Sequence, residues 1–183
     1  MTDIARIGVP WRILGWGGAV LLLATPFIAM RFTSDVNWTA SDFIFAGLLF
    51  AAIGGMFELA VRRSGNWAYR GGAGLALLGT FLVIWANLAV GIVGSEDNPA
   101  NLLFFVAMLL GSIAAALCRL RAAGMVRAMA ATAIALEVAF AIALTQGTDE
   151  PFVSHWLELA GTSIFAALFV ASAGLFRKAA RSS

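Results

Sequence analysis

Residues 128–146 read AMAATAIALEVAFAIALTQ, an apolar stretch in which the one carboxylate, Glu137, is the only ionisable side chain. Ten residues separate Arg127 from Glu137, about 15 Å of helix at ~1.5 Å per residue and half of a ~30 Å hydrocarbon core. The stretch reads as a membrane-spanning helix with an acid near the bilayer midplane. Such an acid costs roughly 2.5 to 3.5 kcal/mol on insertion scales, which turns Glu137 toward a helix bundle or a wet cavity and away from lipid. Ala131, Ala135, Ala139 and Ala143 form one small-residue row, and Ala133 and Ala141 flank Glu137 on another. Helices can approach closely on either face. This is expected to be the central helix, and Glu137 the leading functional residue.

Outward from that stretch, composition agrees. Hydrophobic residues make up 61% of the chain and charged residues 12%, with a mean hydropathy of +0.91, far from the soluble globular range. Six apolar runs, at about 11–30, 43–61, 71–94, 101–118, 128–146 and 156–176, are joined by connections too short for a soluble domain. The expected architecture is all-α: a single membrane domain over 1–183, built as a six-helix transmembrane bundle with short loops. A lone Cys118 rules out an internal disulfide and a cysteine zinc cluster, and a lone His155 rules out bis-histidine haem and a three-histidine metal site. No cofactor is expected. The lipid bilayer is the expected surrounding, and nucleic-acid binding has no support.

Charge distribution sets the orientation. Of twelve basic residues, all but Arg31 fall at the amino terminus, in the second and fourth connections or at the carboxyl terminus. By the positive-inside rule both termini are cytoplasmic. The first run begins like a signal peptide, after Arg6 and Arg12, but it is too long for an ordinary apolar core of one, and Phe27 before Ala29 spoils the cleavage pattern. It is read as a retained helix. Ser41 or Asp42 is expected to cap the second span, and Glu58, four residues before Arg62, to form an interfacial ion pair on one helical face.

The turn GSEDNPAN, 94–101, carries the chemistry of a helix start: Asn98 as N-cap, Pro99 at the first helical position, and Glu96 and Asp97 near the positive dipole end. A cation site made from Glu96, Asp97 and Asn98 is the competing reading, though the spacing matches no calcium loop. On the expected topology seven acids, Asp35, Asp42, Glu96, Asp97, Asp149, Glu150 and Glu158, face outside against one arginine. They would concentrate cations, or they are simply what remains when positive charge is excluded from external loops. His155 could join the carboxylates at a metal, or serve as an interfacial anchor.

Three polar residues lie within spans. Asn87 is expected to bond a neighbouring helix or a ligand, while Thr80 and Ser112, both near mid-depth, are expected partners for Glu137. A Glu137 buried among apolar groups could cement helices as a neutral donor or load and release a proton or cation. No glycine-framed nucleophile, Walker or dinucleotide motif is present. An enzyme is not expected.

The segments VNWTASDF, 36–43, and NLAVGIVGSEDNPAN, 87–101, resemble segments of small bacterial inner-membrane proteins without an assigned activity. That resemblance implies a bacterial multi-pass inner-membrane protein and assigns no functional residue. Eleven arginines against one lysine fit a high-GC source. Two functions follow: a small cation- or proton-linked transporter or channel with Glu137 as its titrating group, or a noncatalytic accessory or assembly subunit of a larger membrane complex. Partner subunits or a homo-oligomer are compatible with the many small-residue faces.

Overall fold

The computed structural model describes residues 8–145 and 155–182. Among them are six helices, α1 Gly8–Ala29, α2 Ala40–Arg63, α3 Trp67–Ala89, α4 Leu102–Leu117, α5 Ala122–Thr145 and α6 His155–Arg181, each long and apolar enough to cross a bilayer, the fourth when the 3-10 turn Pro99–Asn101 that leads into α4 is counted with it. The chain is an all-α, multi-pass membrane protein. By backbone proximity it divides into two compact units, Met1–Glu58 and Leu59–Ser183.

In the first unit α1 and α2 form an antiparallel hairpin with a register visible in four pairs. Arg12 Nη2 meets Glu58 Oε2 at 3.1 Å, the Trp16 ring covers Gly54, Leu23 faces Gly47, and Phe27 meets Phe43 edge-on at 6.3 Å. Every step along α1 matches an equal step back along α2, so a large side chain on one helix repeatedly finds a glycine on the other. A Cβ on Gly54 would lie 2.8 Å from the Trp16 ring; the absence of side chain is what admits the indole. Trp16 Nε1 also donates to Glu58 Oε1 at 3.0 Å. Glu58 is thus bound by two α1 donors that spacing along α2 does not reveal. The cap of α2 is Thr39 in place of Ser41 or Asp42: Asp42 Oδ2 accepts from both the amide and the hydroxyl of Thr39, the reciprocal half of a capping box.

In the second unit α5 packs on α6 and α4, and α3 packs on α6 and lightly on α4. Helix α5 is therefore one of four around a shared core and not a hub. Its core face is set by Met125, Met129, Leu136 and Phe140 together with Ala128, Thr132, Ala139 and Ala143. The alanines that surround the rest of the helix leave its hydrophobicity nearly even on all sides, so side-chain volume and not periodicity chose the inward face. On α3, Gly72 and Gly79 lie under Phe176 and Phe169 of α6, and Tyr69 meets Phe176 edge-on at 5.2 Å. Ser172 Oγ donates to the Gly72 carbonyl at 2.7 Å across that contact. Ser172→Ala is expected to lower stability by about 1 kcal/mol, within the range of interhelical hydrogen bonds in membranes, read from SDS-induced unfolding in micelles.

Helix boundaries depart from the apolar runs, with α3 beginning already at Trp67 and α6 running past Phe176 to Arg181. The third helix stops at Ala89 instead of continuing to Gly94, and the chain turns through Gly91 and Gly94, whose φ values are +74° and +66°. The fifth begins at Ala122, which draws Arg127 into its second turn. The link between α4 and α5 holds Arg119 and Leu120 at φ 51° and 55°, and their carbonyls accept from Arg63 Nη2 at 2.6 Å and Tyr69 Oη at 2.8 Å. Those two bonds offset a conformation that side chains disfavour. Asn66 caps α3, its Oδ1 accepting from Ala68 N at 2.9 Å.

Candidate functional site

A groove with a volume of about 740 Å³ runs along α5 and α6 in the second unit. Ala133, Ile134, Glu137, Val138 and Ala141 form one wall, and Ser163, Ala166, Ala167, Val170 and Ala171 the other. Small residues make it. Ala133, Glu137 and Ala141 repeat every four residues on α5, as do Ser163, Ala167 and Ala171 on α6, so each helix presents a continuous row with little side-chain bulk. Gly174, farther along α6, has nothing against the place a Cβ would occupy.

Glu137 is half-buried in the wall of this groove. It opens onto the flank of the bundle and not into its core, which is filled at the same level by Leu136 and Phe140. No described residue bonds its carboxylate. Thr80 Oγ1 donates to Ala76 O and Ser112 Oγ to Met108 O, each on its own helix, and Ser112 is exposed on the outer side of α4. Neither reaches Glu137. The sequence carries an expectation for the depth of this carboxylate but none for its direction. An acid without a bonding partner inside a span is the costly arrangement that transmembrane sequences avoid.

Asn87 belongs to a different construction, at the end of α3. Its Nδ2 donates to Asn101 O at 2.9 Å, while its Oδ1 is buried without a partner. Asn101 is the centre of that construction. Its Oδ1 accepts from the amides of Ile92 and Val93, both at 3.0 Å, and its Nδ2 donates to Val93 O at 3.2 Å and Ser95 O at 2.7 Å. One buried amide thereby satisfies four backbone groups of a chain turning inside apolar surroundings. By sequence Asn101 reads as the first residue of a span; the signal it carries is a second asparagine three residues after the capping Asn98. Asn98 does cap, accepting from Ala100 N at 2.9 Å, with Pro99 in the first turn position.

Glu158 closes the same turn from α6. Its Oε1 accepts from Gly94 N at 2.7 Å, its Oε2 lies 3.0 Å from His155 Nδ1, and only 7% of the residue is exposed. It acts as a clamp within the protein. Of the other acids expected outside, Glu96 and Asp97 are exposed on the turn, Asp35 accepts from Thr33 Oγ1 in the first unit, and Asp42, in the first turn of α2, accepts from Thr39. Asp149 and Glu150 lie outside the described residues. Among the described residues no group of three or more His, Cys, Asp or Glu side chains is placed to hold a metal ion.

Comparison with protein families, with curated proteins and with solved structures finds no match for this chain. The second unit holds two polar constructions: a turn in which Asn101 and Glu158 are bonded to the backbone, and a groove whose one carboxylate is bonded by no described residue.

Proposed function

We propose that the protein is a noncatalytic accessory or assembly subunit of a larger membrane complex, in a bacterial inner membrane with both termini cytoplasmic, and that the α5–α6 groove receives a transmembrane helix of another subunit. The observation that carries this reading is Glu137, an unbonded carboxylate set between two small-residue rows on the flank of the bundle. Small residues let backbones approach, and polar side chains bond across helices in lipid. A docked helix removes the carboxylate from hydrocarbon.

Native mass spectrometry of the protein extracted from its own membranes in mild detergent tests the proposal. A stoichiometric heterologous subunit is expected with the wild type and is expected to be lost in Ala167→Leu, which fills the groove. A monomer or homo-oligomer whose composition Ala167→Leu leaves unchanged overturns the proposal.

A second reading, proton- or cation-linked transport, draws on the same carboxylate, since a group left unbonded and open to a groove can exchange a proton or hold a cation. Wild-type protein in liposomes would then move protons or metal cations, and Glu137→Gln would abolish the flux. Equal flux in both proteins removes this reading.

A further inference from the structure

We infer that the helix seated in the α5–α6 groove belongs to a different protein and carries a cationic side chain level with Glu137 and an acidic side chain about ten residues from it, level with Arg127 and Arg177. The inference rests on the docking reading above and specifies the chemistry of the partner.

The groove has a charge pattern along its length. Arg127 stands seven residues before Ile134 on α5, and Arg177 seven residues after Val170 on α6. Seven residues are two helical turns, which returns each arginine to the face that lines the groove. Both are exposed, and no described residue bonds either guanidinium. Consecutive spans run antiparallel, so the two arginines meet at one end of the groove, while Glu137 lies ten residues from Arg127, about 15 Å away along α5. The face thus reads as positive at its basic end, apolar along its small-residue floor, and acidic at its middle.

That pattern discriminates among occupants. A second copy inserts with the same topology, and a two-fold axis along the membrane normal brings equal depths together. It would set Glu137 against Glu137, carboxyl on carboxyl with no cationic partner at that level, and arginine against arginine, like charge on like charge. An acyl chain fits the small-residue floor but offers nothing to a carboxylate at its centre. A helix bearing a lysine or arginine at mid-depth and a glutamate or aspartate ten residues toward the arginines pairs both levels at once. It also enters the membrane more easily docked than alone, because each partner's intramembrane charge is neutralised by the other's.

The test uses the full chain in liposomes, with a donor dye at the carboxyl terminus, and synthetic leucine-alanine transmembrane peptides labelled with an acceptor. One peptide carries a central lysine and a glutamate ten residues away; its control carries leucine at both positions. The charged peptide is expected to bind at least tenfold more tightly than the control. Glu137→Gln is expected to reduce that preference by about tenfold, with Arg127→Gln/Arg177→Gln also weakening it. Ala167→Leu is expected to remove binding of both peptides. Retained binding of the leucine control by Glu137→Gln shows that this variant keeps its groove.

The inference is overturned if the two peptides bind wild type equally, if neither binds, or if the preference survives Glu137→Gln. Energy transfer between labelled copies that Ala167→Leu abolishes assigns the groove to self-association and overturns it as well. Equal binding of the two peptides, beside a native subunit that Ala167→Leu displaces, would sink the charge pattern alone and leave the docking reading standing.

Discussion

Replacing Asn101 with leucine is expected to lower the stability of the second unit by about 4 kcal/mol, the largest single-residue effect outside the aromatic core. Leucine preserves the volume but removes two acceptor and two donor contacts, those to Ile92 N, Val93 N, Val93 O and Ser95 O. Each buried backbone group left unpaired costs roughly 1 to 3 kcal/mol. Water cannot take over at Val93, which is fully buried, or at Ile92, which is 8% exposed. Some of the four groups will relax toward solvent at Ser95, and the sum is therefore placed near the lower end. Asn101→Asp separates the two halves of the role: it keeps the acceptor for Ile92 and Val93 and loses the donors, so an intermediate loss is expected. Thermal unfolding of purified protein in detergent, followed by tryptophan emission, gives the ordering wild type, aspartate, leucine. A leucine variant as stable as the wild type would show that the turn holds without its amide. Gly91→Ala approaches the same turn from the backbone, since an added Cβ meets Ser95 O and Asn101 Nδ2 at a positive φ, and is expected to be destabilising too.

The turn also shows where hydropathy stops informing. Val90, Ile92 and Val93 extend the third apolar run past Ala89, and by composition the helix should continue. It ends because its hydrogen bonds are taken over by a side chain eight and nine residues downstream, an arrangement invisible to any count of apolar residues. Glu158 is a related case. Its place at the start of α6 reads as an external acid, and only the fold brings Gly94 N within 2.7 Å of it. A carboxylate near a span end has the same sequence signature whether it meets solvent or an orphan amide.

Glu137 divides differently between what was legible and what was not. The depth expected of it is counted from residue rise after Arg127. Its direction depends on which neighbour α5 prefers, and a helix with alanine on most faces does not announce that. The large residues do: Met125, Met129, Leu136 and Phe140 share the buried side, with Ala133 and Glu137 at its margin. In a membrane, where lipid solvates apolar side chains as well as protein does, volume and fit decide packing more than hydrophobicity. The same logic made the hairpin register readable in retrospect, since Trp16 and Leu23 repeat at the spacing of Gly54 and Gly47.

The second large effect is expected at Gly111, where α4 lies against Thr132 of α5. A Cβ there would run into Thr132 Oγ1 and lie 3.1 Å from its Cγ2. Thr132 cannot swing away at no cost, because it is 3% exposed and its hydroxyl donates to Ala128 O at 2.9 Å. Gly111→Leu should therefore push the helices apart and lower stability by about 3 kcal/mol, the upper part of the range for overpacking. α4 is the element most at risk, because α5 is its principal neighbour in the unit and its opposite side, with Leu102, Leu109 and Leu117, is exposed. The cause can be isolated with smaller changes. Gly111→Ala and Thr132→Ala should each destabilise, but Thr132→Ala removes the atoms that the new Cβ would strike, so the double variant should be clearly more stable than the sum of the singles predicts, as contacting residues require. SDS-induced unfolding of the four proteins measures that coupling. Strict additivity would mean that Gly111 is held by the backbone of α4 itself, and that the helices meet there for some reason other than the space a missing side chain leaves.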